Sequence, residues 1–254
     1  MRIKVSIYAE KVPIIFRNRI MSLIKEMLSK SNESYFKSLY SIKKPKAFTF
    51  NLVFDRSHPV DEEIHIDDVF RIRDKVFYQD ANNPIFLYIS SDDYRFIINI
   101  INGVREIRTF KFNKKDYWKI DRISILKEKI ISDNVAVFRT NSPIIVEAKD
   151  DKPIIFSDRD FQTELNNVME TAFRRIYRRG LKQPLEFYPI DMEKEVIKHT
   201  LRGFREKTGK PIMYLTGSKG IFKLKGHPED LQAVYQIGLG NRRNQGFGMI
   251  DVIT

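Results

Sequence analysis

RIKVSIYAEKVPIIFRNRIMSLIKEML, residues 2–28, changes its hydrophobic period once, at Pro13. Before it, Ile3, Val5 and Ile7 alternate with polar residues, which predicts a strand with one buried face. After it, Phe16, Ile20, Leu23, Ile24, Met27 and Leu28 form a stripe at helical spacing. Ser-Asn-Glu-Ser at 31–34 interrupts that helix, and a short one follows through Tyr40. FTFNLVF (48–54) alternates again, with Phe48, Phe50, Leu52 and Phe54 on one side. A strand pair is expected at 69–78 and 85–90. Ser91-Asp92-Asp93 then opens a helix carrying Phe96, Ile97, Ile100, Ile101 and Val104, with Gly103 near its end. TFKFN (109–113) and RISIL (122–126) close the segment as strands. The order is that of the β-α-β-β-α-β, ferredoxin-like unit.

The order then recurs. AVFRTNSPIIVEA (136–148) reads as a strand broken at Asn-Ser-Pro. Leu165, Val168, Met169, Ala172, Phe173, Ile176 and Tyr177 make a helix that Gly180 is expected to cap. LEFYPI, EVIKHTL and PIMYLTGSKGIFKLKG supply strands, with Thr-Gly-Ser-Lys-Gly (216–220) as a hairpin turn. HPEDLQAVYQIG (227–238) is a helix with Pro228 in its first turn and Gly238 at its end, and MIDVI is a last strand. The fold class is α+β: two tandem ferredoxin-like (RNA-recognition-type) domains, 1–127 and 128–254.

Composition narrows the chemistry. With no cysteine, disulfides, thiolate catalysis and Cys-ligated metal sites are excluded. No apolar run is long enough for a membrane span, and the N-terminus alternates, so a soluble, cytoplasmic protein is expected. The net charge is +12. Residues 1–50 hold eleven Lys or Arg against three Glu, two thirds of that excess. A basic face attracts polyanions, nucleic acid first among them; a lysine-rich solvated surface is the alternative.

Near the C-terminus, GLGNRRNQGFG (238–248) sets two Gly-x-Gly pairs, Gly238/Gly240 and Gly246/Gly248, around Asn241, Arg242, Arg243, Asn244 and Gln245. It offers main-chain N–H groups, amides and guanidinium groups, an inventory suited to phosphate oxygens. The glycines are expected to let the backbone approach RNA while Arg242 and Arg243 reach phosphates; a tight helix-to-strand connection is the structural alternative, and both can hold. In TAFRRIYRRGLK (171–182), Arg174, Arg175, Arg178 and Arg179 lie opposite the apolar stripe, where they could grip RNA or only complement the helix dipole. His58, His65, His199 and His227 are dispersed, without metal-ligand spacing. DEEIHIDD (61–68) reads as a solvated acidic loop rather than a cation site.

The tail IGLGNRRNQGFGMIDV, with MRIKVSIYAE, SLYSIKKPKAFTFNLVF and FRTNSPIIVEA, resembles the RAMP superfamily, and within it the CRISPR repeat-processing endoribonucleases (the Cas-six family). The resemblance implies cleavage of CRISPR precursor RNA within its repeats, without metal or cofactor. The 2′-hydroxyl attacks the adjacent phosphate, leaving a 2′,3′-cyclic phosphate and a 5′-hydroxyl. Repeat RNA is the implied partner, with a multisubunit effector complex and a second copy of the chain as further candidates. In relatives a tyrosine, a histidine and a lysine carry the reaction. By spacing to PKAFTF those positions are Lys25, Tyr40 and Lys46: Lys46 keeps the lysine, Tyr40 replaces the histidine and Lys25 the tyrosine. Lys43, Lys44, Lys46 and Lys25 would favour the Tyr40 phenolate, and Lys43 and Lys44 would add phosphate contacts. Two other readings stay open: a repeat-RNA binder that does not cut, and a general single-strand binder or ribonucleoprotein subunit.

Overall fold

The strand-to-helix change at Pro13 is where the sequence puts it. β1 (Arg2–Tyr8) runs through a short β2 (Lys11–Pro13) into α1 (Arg17–Ser31) and α2 (Glu33–Tyr40). The computed structural model describes residues 1–41, 45–112, 116–148 and 152–253. The first half continues with β3 (Phe48–Val53), β4 (Pro59–His65), β5 (Arg71–Tyr78), β6 (Ile85–Ser91), α3 (Tyr94–Glu106), β7 (Thr109–Lys111) and β8 (Tyr117–Leu126). Asn32 caps α2 and Asp93 caps α3, each side chain accepting a main-chain N–H of the first turn.

The main sheet has the order β3-β6-β1-β8-β7, antiparallel throughout. With the short β7 set aside, the strands around the two helix crossovers (β1, β3, β6, β8) lie in the ferredoxin-like order last, first, third, second. Ile20, Leu23, Ile24 and Met27 of α1 meet Phe96, Ile97, Ile100 and Val104 of α3 in one buried cluster over that sheet.

The second half repeats the plan with β9 (Val135–Thr140), β10 (Val146–Glu147), β11 (Pro153–Ile154), α4 (Phe161–Tyr177), β12 (Glu186–His199), α5 (Arg202–Thr208), β13 (Met213–Lys225), α6 (Pro228–Ile237) and β14 (Ile250–Val252). Its sheet, β12-β13-β9-β14, has the same order read from the far edge. Leu165, Met169 and Phe173 of α4 and Leu231 and Val234 of α6 pack with Phe138, Phe222 and Leu224 of the sheet in a second cluster.

Four local expectations change. The strands at 69–78 and 85–90 do not pair with each other: β5 joins β2 and β4 in a separate three-stranded sheet, while β6 enters the main one. The acidic run is therefore largely strand β4, its Asp61, Glu62 and Glu63 facing Lys75, Asp74 and Arg73 across the ladder. LEFYPI and EVIKHT are one long strand, β12, and Thr-Gly-Ser-Lys-Gly runs straight through β13. Thirteen paired positions outweigh a local turn signal, and α5 makes the reversal instead. Finally, α4 ends at Arg178, itself in the left-handed region at φ 60°, two residues before Gly180.

The halves meet along a polar seam. Arg2 donates to the Tyr235 and Ile250 carbonyls at 3.1 and 2.8 Å. Arg17 Nε donates to the Gly246 carbonyl at 3.2 Å, and the Thr49 hydroxyl to that of Phe247 at 2.8 Å. Continuing the seam, Lys198 pairs with Asp74 at 2.6 Å and Arg205 with Asp67 at 2.9 Å, tying the turn of the β12–β13 hairpin to the three-stranded sheet.

A Cβ on Gly248 would lie 2.0 Å from the Leu239 carbonyl oxygen, at φ 65°. Gly248→Ala should cost about 2 kcal/mol or more and lower the Tm by roughly 4–8 °C. Gly203, inside α5 with nothing near its missing Cβ, is the control: Gly203→Ala should be neutral or stabilise by up to about 1 kcal/mol. Thermal melts of the two variants check both signs.

Candidate functional site

The connection from α6 to β14 crosses between the halves, and its conformation explains its composition. Gly238, Gly240, Gly246 and Gly248 all have positive φ, between 65° and 89°. Leu239 N–H bonds the Gly248 carbonyl at 2.9 Å, and Asn241 N–H the Ile145 carbonyl at 2.7 Å. A Cβ on Gly240 would meet the Ile145 oxygen at 2.4 Å, and one on Gly246 the Phe50 ring at 2.6 Å. The close approach these glycines permit is thus to the protein's own backbone and to β3 of the first half. Leu239, Phe247 and Met249 are buried beneath the loop.

The two arginines of the loop do not both reach outward, which corrects the expectation for them. Arg243 is buried, donating Nη1 to the Gly240 carbonyl at 2.6 Å. Burial lowers its guanidinium to about 10. Arg242, at φ 55°, is held by Glu147 of β10, with Nε 2.9 Å from Oε2 and Nη2 2.8 Å from Oε1. That charge-assisted fork fixes the loop.

Beside the loop opens a cleft of about 440 Å³. Glu164, Asn167, Val168, Thr171 and Arg175 of α4 form one wall, all at helical spacing. Pro45 and Lys46 form the other, and Asn241 and Asn244 the floor. Of the four arginines singled out on α4, only Arg175 lines the cleft. Arg174 pairs with Glu170 one turn back at 2.6 Å, and Arg178 occupies the exposed cap. Arg179 turns inward to the fully buried Asp230 at 2.7 Å, over the Phe173 and Tyr177 rings. Its expected outward grip is replaced by an internal one. Lys43 and Lys44 lie outside the described residues.

The three proposed catalytic positions do converge. Lys25 Nζ stands 5.2 Å and Lys46 Nζ 5.0 Å from the centre of the Tyr40 ring, within cation–π range. Burial pushes the Tyr40 phenol up to about 12, in the direction opposite to the one expected from the lysines. It is then neutral at pH 7 in all but about one molecule in 10⁵. Tyr40 can donate a hydrogen bond or a proton but is no base.

No histidine lines this cleft. His227 caps α6, and His65 faces Glu63 at 2.9 Å. His199 is buried against Phe247, its Nε2 3.2 Å from Gln245 Oε1. Among the described residues no three of His, Cys, Asp and Glu gather where they could hold a metal, and no helix is long and apolar enough to cross a membrane. Sequence reasoning missed Glu147 and Glu164. Glu164 was legible in principle, since it stands eleven residues, three helical turns, before Arg175 on one face.

The comparisons with known proteins follow the fold. A family model described as CRISPR associated protein Cas6, C-terminal, matches residues 126–252. A Methanocaldococcus jannaschii protein named CRISPR-associated endoribonuclease Cas6 1 is 24% identical across 98% of this chain and 92% of its own length. A Pyrococcus furiosus protein named putative CRISPR-associated endoribonuclease-like protein Cas6 is 30% identical, over 68% of this chain and 69% of its own. A solved structure described as an RAMP protein binding different RNA substrates superposes with a TM-score of 0.76 at 21% identity, covering both chains in full. That of a Cas6-related gene from Pyrococcus furiosus gives 0.75 at 22%, covering all of this chain and 98% of the other. At these identities the structures speak for a shared fold.

His199 yields a pH prediction. Burial first, and then the Arg17 charge, lower its imidazole from 6.5 to about 3. The folded state therefore binds fewer protons than the unfolded one between those values. Its stabilising contribution is whole above pH 6.5 and falls by about 1.4 kcal/mol per pH unit below it. Chemical denaturation at pH 7 and pH 5 should show His199→Gln losing less stability on acidification than the parent protein.

Proposed function

Because the chain belongs to the Cas6 family of CRISPR-associated proteins, we propose that it is an endoribonuclease that cuts CRISPR precursor RNA within its repeats, without a metal ion. The observation that carries this reading is the convergence of Lys25 and Lys46 on one half-buried phenol, with Lys46 also lining the cleft beside the glycine-rich loop. The RNA supplies its own nucleophile. The 2′-oxygen bonds to the adjacent phosphorus, the bond to the 5′-oxygen breaks, and the ends are a 2′,3′-cyclic phosphate and a 5′-hydroxyl.

Each side chain then has one task. The lysine ammonium groups offset the charge that builds on the phosphorane oxygens. Tyr40, neutral and held between them, donates to the leaving 5′-oxygen or to a phosphate oxygen and holds the reacting group in line. The proton of the 2′-hydroxyl passes to solvent, and the expected cleavage is slow. Arg175 and the exposed Arg178 serve the RNA backbone. The glycine-rich loop contributes main-chain N–H groups and the Asn244 amide, while Arg242 and Arg243 hold it in shape.

A second reading, a binder of repeat RNA that does not cut, is favoured by one observation: the family's histidine position is a phenol held near 12. The Pyrococcus furiosus relative named endoribonuclease-like is compatible with either.

One assay separates the two. Labelled repeat RNA should be cut in EDTA and left whole when the scissile nucleotide is 2′-deoxy. Lys46→Ala should slow cleavage about 10²–10³-fold with less than roughly threefold change in affinity. The rate of the parent protein should lack the break near pH 6.5 that a titrating imidazole produces. Tight binding with an intact strand would select the second reading.

A further inference from the structure

The cleft beside the glycine-rich loop is not the uniformly basic surface that phosphate binding alone would select. Two carboxylates line it, Glu147 and Glu164. Glu147 is committed to Arg242. Glu164 lies in the first turn of α4 and offers its carboxylate oxygens as acceptors. Asn167 Nδ2 approaches its Oε2 at 3.4 Å. Around it the lining alternates between apolar patches (Val168, Ala172, Ala148) and amides.

A carboxylate repels a phosphate and attracts paired N–H donors. Among RNA components, only the Watson–Crick edge of guanine offers two parallel donors, N1–H and N2–H, to one carboxylate. The apolar patches suit the base's flat face, and the Asn244 amide is complementary to its remaining acceptors. The volume, about 440 Å³, lies in the range of pockets that enclose small molecules. Along the same helix face Arg175 stands eleven residues on, roughly 16 Å at 1.5 Å per residue. One end of α4 would thus meet a base and the other a backbone phosphate two or three nucleotides away.

We propose that Glu164 is a specificity-determining residue that reads a guanine close to the cut. This rests on the assignment of RNA as the ligand, since it places that guanine beside Lys46.

The test uses repeat RNA made uncleavable by a 2′-deoxy at the scissile nucleotide, with each guanosine replaced in turn by inosine, which lacks only the N2 amino group. Fluorescence anisotropy should find one replacement, near the cut, that weakens binding about tenfold. Glu164→Gln should weaken the all-guanosine RNA by a similar factor and reduce the guanosine–inosine difference at that position to twofold or less. Glu164→Asp, which keeps the charge but withdraws it by one methylene, should also lose most of the discrimination. If no replacement matters by more than twofold, or the difference survives in both variants, the inference is overturned while repeat binding, and with it the proposed function, stands. If the parent protein does not bind repeat RNA at all, both fall.

Discussion

The main chain of the glycine-rich loop, packed on β3 side chains of the other half, is the constraint from which the rest of this structure follows. The loop from α6 to β14 passes so close to Thr49 and Phe50 of β3 that a methyl group would press on them from Gly238 or Gly246, while from Gly240 or Gly248 it would strike the Ile145 or Leu239 carbonyl oxygen. That contact sets the position of β3, and therefore of Lys46 just before it, relative to α4. The cleft is the space left between them. The fold of the second half gathers 147–148, 164–175 and 240–245, and the seam adds Pro45 and Lys46 to them.

The charge of the chain divides by burial. Arg2, Arg17 and Arg243 lie inside, satisfying carbonyl oxygens at the seam, and Arg179 neutralises a carboxylate that would otherwise be buried alone. Arg174, Arg175, Arg178 and Lys25 remain in contact with water. Only the second group can touch a polyanion directly, while the net charge of +12 sets the attraction at long range. At Tyr40 burial raises the phenol, although two ammonium groups stand near its ring.

The architecture was largely written in hydrophobic period. The strand–helix changes at Pro13 and Asp93 gave the first half, and the stripe from Leu165 to Tyr177 with the cap region at Pro228 gave the second. What failed was local punctuation read without its partners. Thr-Gly-Ser-Lys-Gly looks like a turn until thirteen paired positions of β12 hold it straight. The acidic run looks like a loop until Arg73 and Lys75 across the ladder make it a strand. The site was half legible. Spacing could bring Lys25 and Tyr40 together because they lie on two consecutive helices. It could not tell that Arg242 meets Glu147, ninety-five residues earlier, because that pairing exists only once the second half has folded.

Lys198 with Asp74 and Arg205 with Asp67 join the β12–β13 hairpin to the three-stranded sheet, and His199, next to Lys198 in the chain, packs on Phe247 of the glycine-rich loop. The fastening between the halves is thus continuous, from buried hydrogen bonds at the loop to ion pairs in partial contact with water. Added salt weakens the outer part more than the inner, so the buried part carries the join where the ionic strength is high.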